Sequence, residues 1–113
     1  IKKFAINFHP GPPKYRGTAS VSMAIKNNDK FFGCVAHLMS NKIDYGKILN
    51  VKKFKINKKD KLNDILKKAH KCSFLQCIEM IKKIHSYNNN LKKLKIKKKY
   101  TWSKNYYSVG DRS

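Results

Sequence analysis

Three prolines and two glycines crowd into residues 10–17, and this segment constrains the fold more than any other part of the chain. Proline fixes its own φ angle and has no amide hydrogen, so neither a strand nor a helix can continue through the segment. The residues just before it, residues 3–8, have the β-branched and aromatic content of a short strand. The sequence therefore predicts a strand that ends in a stiff loop, with Asn7 and His9 at the junction.

The rest of the chain alternates between helical and extended patterns. A short helix is expected after the loop, ending near Asn28. Residues 31–39 are almost continuously apolar, which is typical of a buried strand, and we expect both Phe31 and Phe32 to lie in the core. Residues 47–56 form a second, lysine-rich strand that we place nearer the edge of the sheet.

The strongest helical pattern begins at Asp60 and ends at three consecutive asparagines, residues 88–90. Apolar side chains recur there at steps of three and four residues, which predicts one buried face. That face comprises Leu62, Ile65, Leu66, Ala69, Cys77, Ile78, Ile81 and Ile84. The order strand, loop, helix, strand, strand, helix predicts an α/β fold.

The charge of the chain is extreme, at +21, and suggests a nucleic-acid partner. Of 27 basic residues, however, only Arg16 and Arg112 are arginine, the residue best suited to bidentate phosphate and guanine contacts. Lysine, asparagine and isoleucine are all abundant, as in proteins from AT-rich genomes. We therefore attribute most of the charge to codon usage.

Cysteine content and hydropathy indicate a soluble, cytoplasmic protein. The three cysteines are odd in number and form no Cys-x-x-Cys pair, so we expect free thiols and no metal site. No apolar run approaches the roughly 20 residues of a membrane span.

Three polar side chains suit acyl transfer to an amine. Asn7 and His9 occupy alternate positions of one strand and so point to the same face, where an amide and an imidazole can bind an oxyanion. Asp44 follows the buried strand, where a carboxylate can move a proton.

Three stretches of the chain resemble the folate-dependent formyltransferase family. The His-Pro loop of that family is similar to residues 7–17, Asn-Phe-His-Pro-Gly-Pro-Pro-Lys-Tyr-Arg-Gly. Its next strand is similar to residues 33–37, Gly-Cys-Val-Ala-His, and its Asp-x-Gly turn to residues 44–49, Asp-Tyr-Gly-Lys-Ile-Leu. The resemblance implies a doubly wound, Rossmann-like domain in which Asn7, His9 and Asp44 are catalytic. It also implies 10-formyltetrahydrofolate as formyl donor and an amine as acceptor.

The loop after His9 would then lie on the acceptor side of the cleft. Its predicted substrate contacts are Pro10, Gly11, Lys14, Tyr15 and Arg16. His37 falls where the family often has a histidine in a strand, and we assign it a supporting role.

The loop also bears on which amine is formylated. Methionyl-tRNA and glycinamide-ribonucleotide formyltransferases typically read His-Pro-Ser-Leu-Leu-Pro there, whereas this chain has the shorter His9-Pro10-Gly11-Pro12-Pro13. That variant resembles enzymes that formylate nucleotide-linked amino sugars, and we favour such an acceptor over methionyl-tRNA. A third interpretation, a non-enzymatic basic protein that binds nucleic acid, would require aromatic side chains on an exposed sheet face.

The resemblance also predicts the domain organisation. Residues 1–87 would be the C-terminal portion of a catalytic domain, and residues 88–113 a basic and aromatic tail or the start of another module. In the family a further half-domain carrying much of the folate site precedes this region. We therefore expect the chain to be a fragment that is inactive alone.

Overall fold

A computed structural model describes residues 5–39, 46–104 and 106–107. Two strands flank the proline-rich loop: β1, Ile6–His9, and β2, Arg16–Gly17. The helix α1 (Ser20–Lys26), the strands β3 (Phe31–Leu38) and β4 (Ile48–Lys55) and the long helix α2 (Leu62–Ser86) follow. A 3-10 turn at Leu91–Lys93 and a short strand β5, Tyr106–Tyr107, complete the described elements. The predicted order of strand, loop, helix, strand, strand and helix is confirmed.

The main sheet has three strands in the order β1-β3-β4, and both pairs are antiparallel. Asn7 lies opposite His37 and His9 lies opposite Val35. Because residues directly opposite each other share a face of a sheet, these four side chains lie on one face. A second, two-stranded sheet pairs β2 with β5 in parallel.

Helix α2 covers the other face of the main sheet. Phe32 packs there with Ile65 and Ala69 of α2, and Tyr15 of the loop belongs to the same cluster. Further along the sheet, Ala36 packs with Met80. Alternate side chains of β3 are thus buried against the helix, as the two-residue period of a strand requires.

Between these clusters, two thiols link β3 to α2 and an amide links β4 to α2. The Sγ atoms of Cys34 and Cys72 are 2.8 Å apart, and all three cysteines are free thiols, as predicted. Gln76 is buried and donates from Nε2 to the side-chain oxygen of Asn50, over 2.8 Å.

Two predictions about burial are wrong. The buried stripe of α2 runs through Ile65, Ala69, Cys72, Gln76 and Met80, whereas Ile81 is 60% exposed. Phe31 is also exposed, since it lies on the face of β3 opposite α2. Hydrophobic spacing alone could not show that a hydrogen-bonded glutamine would take a place on the buried face.

The segment after α2 returns to the sheet and crosses the face that carries Asn7 and His9. Its path is held by hydrogen bonds to the rest of the fold, among them the following. The amide of Lys97 donates to the carbonyl of Ile48, over 2.8 Å, and that of Ser103 donates to the carbonyl of Pro13, over 2.9 Å. The indole Nε1 of Trp102 donates to the carbonyl of Gly46, over 2.6 Å. The predicted division between residues 87 and 88 stays a prediction.

None of the helices in the described part of the chain combines the length and the apolar character that crossing a membrane requires.

Candidate active site

The predicted catalytic side chains of β1 stand where that strand enters the proline-rich loop. Asn7 is half-buried and His9 is only 3% exposed. His37, on the neighbouring strand, is 2% exposed and lies directly opposite Asn7. Strand alternation and antiparallel pairing therefore bring an amide and two imidazoles to one patch of the sheet.

The loop holds the His9 ring in a defined orientation. Nε2 of His9 lies 2.7 Å from the backbone carbonyl oxygen of Tyr15. A carbonyl can only accept, so Nε2 carries a hydrogen, and Nδ1 is the nitrogen whose protonation can change. Gly11 packs so tightly that a Cβ there would stand 2.8 Å from His9 Nε2 and 2.9 Å from Ser20 Oγ.

Tyr15 is itself fixed by polar side chains around its hydroxyl. This hydroxyl donates to Asp29 Oδ2, over 2.5 Å, and accepts from Asn27 Nδ2, over 2.9 Å. Lys14 Nζ forms an ion pair with the same Asp29 oxygen, over 2.9 Å. Burial, followed by the hydrogen bond to Asp29, raises the pKa of Tyr15 above its ordinary value. The protein thus anchors the residue whose carbonyl orients His9.

Replacing Tyr15 with Phe should lower the free energy of unfolding by about 1 kcal/mol at neutral pH, since the hydroxyl loses two partners. The folded state holds the phenolic proton more tightly than the unfolded chain, because the pKa of Tyr15 is raised. Its stabilising effect is therefore complete below the unfolded pKa of about 10 and is lost as the pH rises through the folded value. Urea denaturation should show the same difference in unfolding free energy between wild type and Tyr15→Phe at about pH 8 and about pH 9, and a smaller difference at about pH 11. A difference that widens would contradict this account.

Trp102 is a site residue that the sequence did not identify. Its ring packs edge-to-face against His9, at a centroid distance of 5.6 Å, and against His37, at 5.0 Å. It thereby covers both histidines with an apolar surface. In the sequence, Trp102 stands out only as the single tryptophan of the chain.

The other predicted substrate contacts fall into two groups. Pro10 borders a cavity beside Asn7, and Lys14 is exposed at the surface. The Tyr15 side chain, by contrast, lies in the core, and Arg16 is buried with Nη1 3.2 Å from the carbonyl of Lys104. Contact of any of these residues with a substrate stays a prediction.

Asp44, the predicted proton carrier, lies outside the described residues. Gly46, two positions later in the sequence, is buried against β3. A Cβ on Gly46 would lie 3.2 Å from Nδ1 of His37. Gly46 is therefore next to His37.

The cavity beside β1 has a volume of about 390 Å³. Its wall includes Asn7, His9 and Pro10 on one side and Leu66 and His70 of α2 on the other. This is a concave site with a few polar groups in an apolar surround, as small-molecule sites commonly are. Among the described residues, no three His, Cys, Asp or Glu side chains are grouped closely enough to hold a metal ion.

Comparison with known proteins adds sequence and structural relatives. Residues 1–81 match the family model described as Formyl transferase. The methionyl-tRNA formyltransferase of Borreliella burgdorferi is 39% identical over 83 residues, which are 73% of this chain and 27% of that protein.

Solved structures match a larger share of the chain. An N-formyltransferase from Helicobacter canadensis, solved in complex with folinic acid and dTDP-3-aminofucose, has a TM-score of 0.78 and 25% identity. The match covers 94% of this chain and 38% of that one. A sugar N-formyltransferase from a Shewanella species has a TM-score of 0.76 and 27% identity, over 96% of this chain and 42% of its own.

These likenesses define the molecule first as part of a Rossmann-like α/β domain, which confirms the predicted fold class. The family follows from the model match, which covers well over half of the sequence. The chain belongs to the formyl transferase family. It spans 27% of the length of its Borreliella burgdorferi relative, so the activity of the whole protein is a matter for proposal.

Proposed function

We propose that the protein transfers a formyl group from 10-formyltetrahydrofolate to an amine, with Asn7, His9 and Asp44 as its catalytic residues. The observation that carries the proposal is the placement of Asn7 and His9. They share a sheet face at the end of β1 and border a cavity, in a chain that belongs to the formyl transferase family.

The residues at the cavity suit the reactive end of this donor. When bound, 10-formyltetrahydrofolate would supply a carbonyl carbon attached to nitrogen, open to attack by an amine. Asn7 offers two amide hydrogens, and His9 offers a ring nitrogen whose orientation is set by Tyr15. Donors fixed in this way stabilise negative charge on an oxygen, typically by about 3 kcal/mol each. Trp102 excludes water from one side of His9, which strengthens these interactions.

His9 has a further role that follows from its hydrogen bond. With Nε2–H committed to the carbonyl of Tyr15, Nδ1 is an acceptor in the neutral ring and a donor in the imidazolium. We therefore propose that His9 is in its imidazolium form when it binds the negatively charged oxygen. Asp44 would balance that charge, take the proton that the amine releases, and pass it to the leaving nitrogen of the donor as the bond from that nitrogen to the formyl carbon breaks. The position of Gly46 against His37 supports this role, because Asp44 is only two residues away along the chain.

For the acceptor, we favour a nucleotide-linked amino sugar. The Helicobacter canadensis structure, which matches 94% of this chain, was solved with dTDP-3-aminofucose. The short loop Pro10-Gly11-Pro12-Pro13 supports the same choice. Methionyl-tRNA is the second candidate, favoured by 39% identity to the enzyme of Borreliella burgdorferi.

The test is to incubate the purified protein, in its full-length form, with 10-formyltetrahydrofolate and each of the two acceptors. Formylated product is then quantified by mass spectrometry. Transfer to a dTDP-amino sugar, with little to methionyl-tRNA, is the expected result, and the reverse preference would establish the second candidate. If neither acceptor is formylated but the protein binds oligonucleotides with a steep salt dependence, the interpretation as a nucleic-acid-binding protein replaces both.

A further inference from the structure

A groove separate from the cavity beside β1 lies on the face of the sheet opposite α2, and we call it the Phe31 groove. Its floor is formed by Phe31 together with Val51 and Lys53 of β4, and its volume is about 660 Å³. Pro12 and Pro13 line it on the side of the loop, and Tyr100 and Thr101 of the C-terminal segment also contribute.

The groove presents an aromatic surface to solvent. Phe31 is 58% exposed, although β3 is otherwise largely buried. Tyr100 also lines the groove and is only half-buried. An exposed phenyl ring is a surface on which a nucleobase can stack, whatever its sequence identity.

The groove is also positively charged. Its lining includes four lysines and, among the described residues, no acidic side chain. Lys53 and Lys55 are exposed and occupy alternate positions of β4, so both face the groove side of the sheet. Lys14 lies there too but is paired with Asp29. Two lysines beside an aromatic ring provide complementary charge for a phosphate chain.

The groove lies on the sheet face that carries the side chains of Asn7 and His9. Val51 of the floor pairs with Val35, which in turn pairs with His9. Thr101 directly precedes Trp102, whose ring covers His9. Phe31 and Val35 are four positions apart in β3, a distance of about 13 Å along an extended strand.

We infer that the Phe31 groove binds the nucleoside diphosphate part of the acceptor, with the base on Phe31 and the phosphates at Lys53 and Lys55. The sugar amine is thereby directed towards Asn7 and His9. The inference rests on the proposed function and deepens it, because it assigns the end of the acceptor that does not react. It also accounts for an exposed phenylalanine that contributes little to the core.

The test is calorimetric titration of the protein with uridine diphosphate and thymidine diphosphate, with inorganic pyrophosphate as a third probe. Phe31→Ala should weaken binding of both nucleotides at least about fivefold and leave pyrophosphate unchanged. The matched control is Phe74→Ala, which removes a phenyl ring that is 64% exposed on α2 and distant from the groove. Equal losses in the two variants, or nucleotide affinity unchanged in Phe31→Ala, would overturn the assignment of the base.

The phosphate contacts are tested separately. The double substitution of Lys53 and Lys55 with Gln should weaken the binding of nucleotides and of pyrophosphate alike. The expected loss of affinity is about tenfold for each lysine that contacts a phosphate. The double substitution should also flatten the salt dependence of binding. Lys67→Gln with Lys71→Gln, a pair of exposed lysines on α2, removes the same charge and should have no such effect. An equal effect of both pairs would mean that net charge alone attracts the nucleotide.

Formyl transfer measured on the full-length protein with the same substitutions separates this inference from the proposed function. If the protein transfers a formyl group but Phe31→Ala binds nucleotides normally, the groove assignment fails and the function stands. If nucleotides bind as expected but no acceptor is formylated, the function fails and the binding site stands. If Phe31→Ala weakens the binding of methionyl-tRNA but of neither nucleotide, the groove binds an RNA acceptor and the inference is wrong.

Discussion

Asn7→Ala should lower kcat for formyl transfer by about two to three orders of magnitude. The Asn7 amide borders the cavity beside β1 and shares a sheet face with His9, where it can donate to an oxygen that gains negative charge. The side chain is half-buried, so its truncation should cost little stability. Initial rates at saturating donor and acceptor, with thermal melting of the same samples, measure the two effects separately.

His9→Gln should cause a loss of similar size, because glutamine keeps much of the volume but cannot become a cation. His85→Gln is the matched control, since His85 is exposed near the end of α2. A His9→Gln protein that melts normally and retains the wild-type kcat would remove His9 from the mechanism. A protein that no longer folds would instead shift the test to Asn7→Ala, which does not depend on the buried ring.

The placement of Asn7 and His9 could be predicted from the sequence because its determinants are local. The prolines end β1 at a defined position, and strand alternation places Asn7 and His9 on one face. The antiparallel pairing that brings His37 opposite Asn7 is a tertiary relation. The resemblance to formyltransferases indicated that His37 belongs nearby, but residue patterns alone do not provide the register.

The remaining features depend on partners that are distant in sequence. Gln76 takes a buried position on α2 because Asn50 and the carbonyl of Cys34 can bond its amide. Trp102 reaches the histidines because the C-terminal segment bonds to Pro13 and Gly46. The spacing of residues in the sequence does not predict such contacts, since each depends on the tertiary structure.

Phe31 shows the limit of hydrophobicity as a guide. The apolar run of β3 predicts burial on both faces, and it is correct for Phe32 through His37. At Phe31 the covering helix lies on the other side of the sheet, and the surrounding segments leave a groove. A buried and an exposed phenylalanine thus follow each other in one apolar run.

Gly46→Ala should be the most damaging single substitution for stability. A Cβ at this position would stand 1.3 Å from the carbonyl oxygen of Leu38 and 3.2 Å from Nδ1 of His37. The first neighbour is backbone, so the two segments must separate. That movement disrupts the hydrogen bond of 2.9 Å from the amide of Leu38 to the carbonyl of Lys47 and the bond from Trp102 to Gly46.

We expect the variant to lose about 3 kcal/mol of unfolding free energy, the upper range for overpacking in a core. For a chain of this size, that corresponds to a fall in Tm of about 12 °C or more. Trp102 is the only tryptophan, so its fluorescence reports the local change, and its emission should shift to longer wavelength. Lys47→Ala, at the exposed neighbouring position, should melt and fluoresce like the wild type. If Gly46→Ala also did so, the close approach of Gly46 to Leu38 and His37 would be wrong.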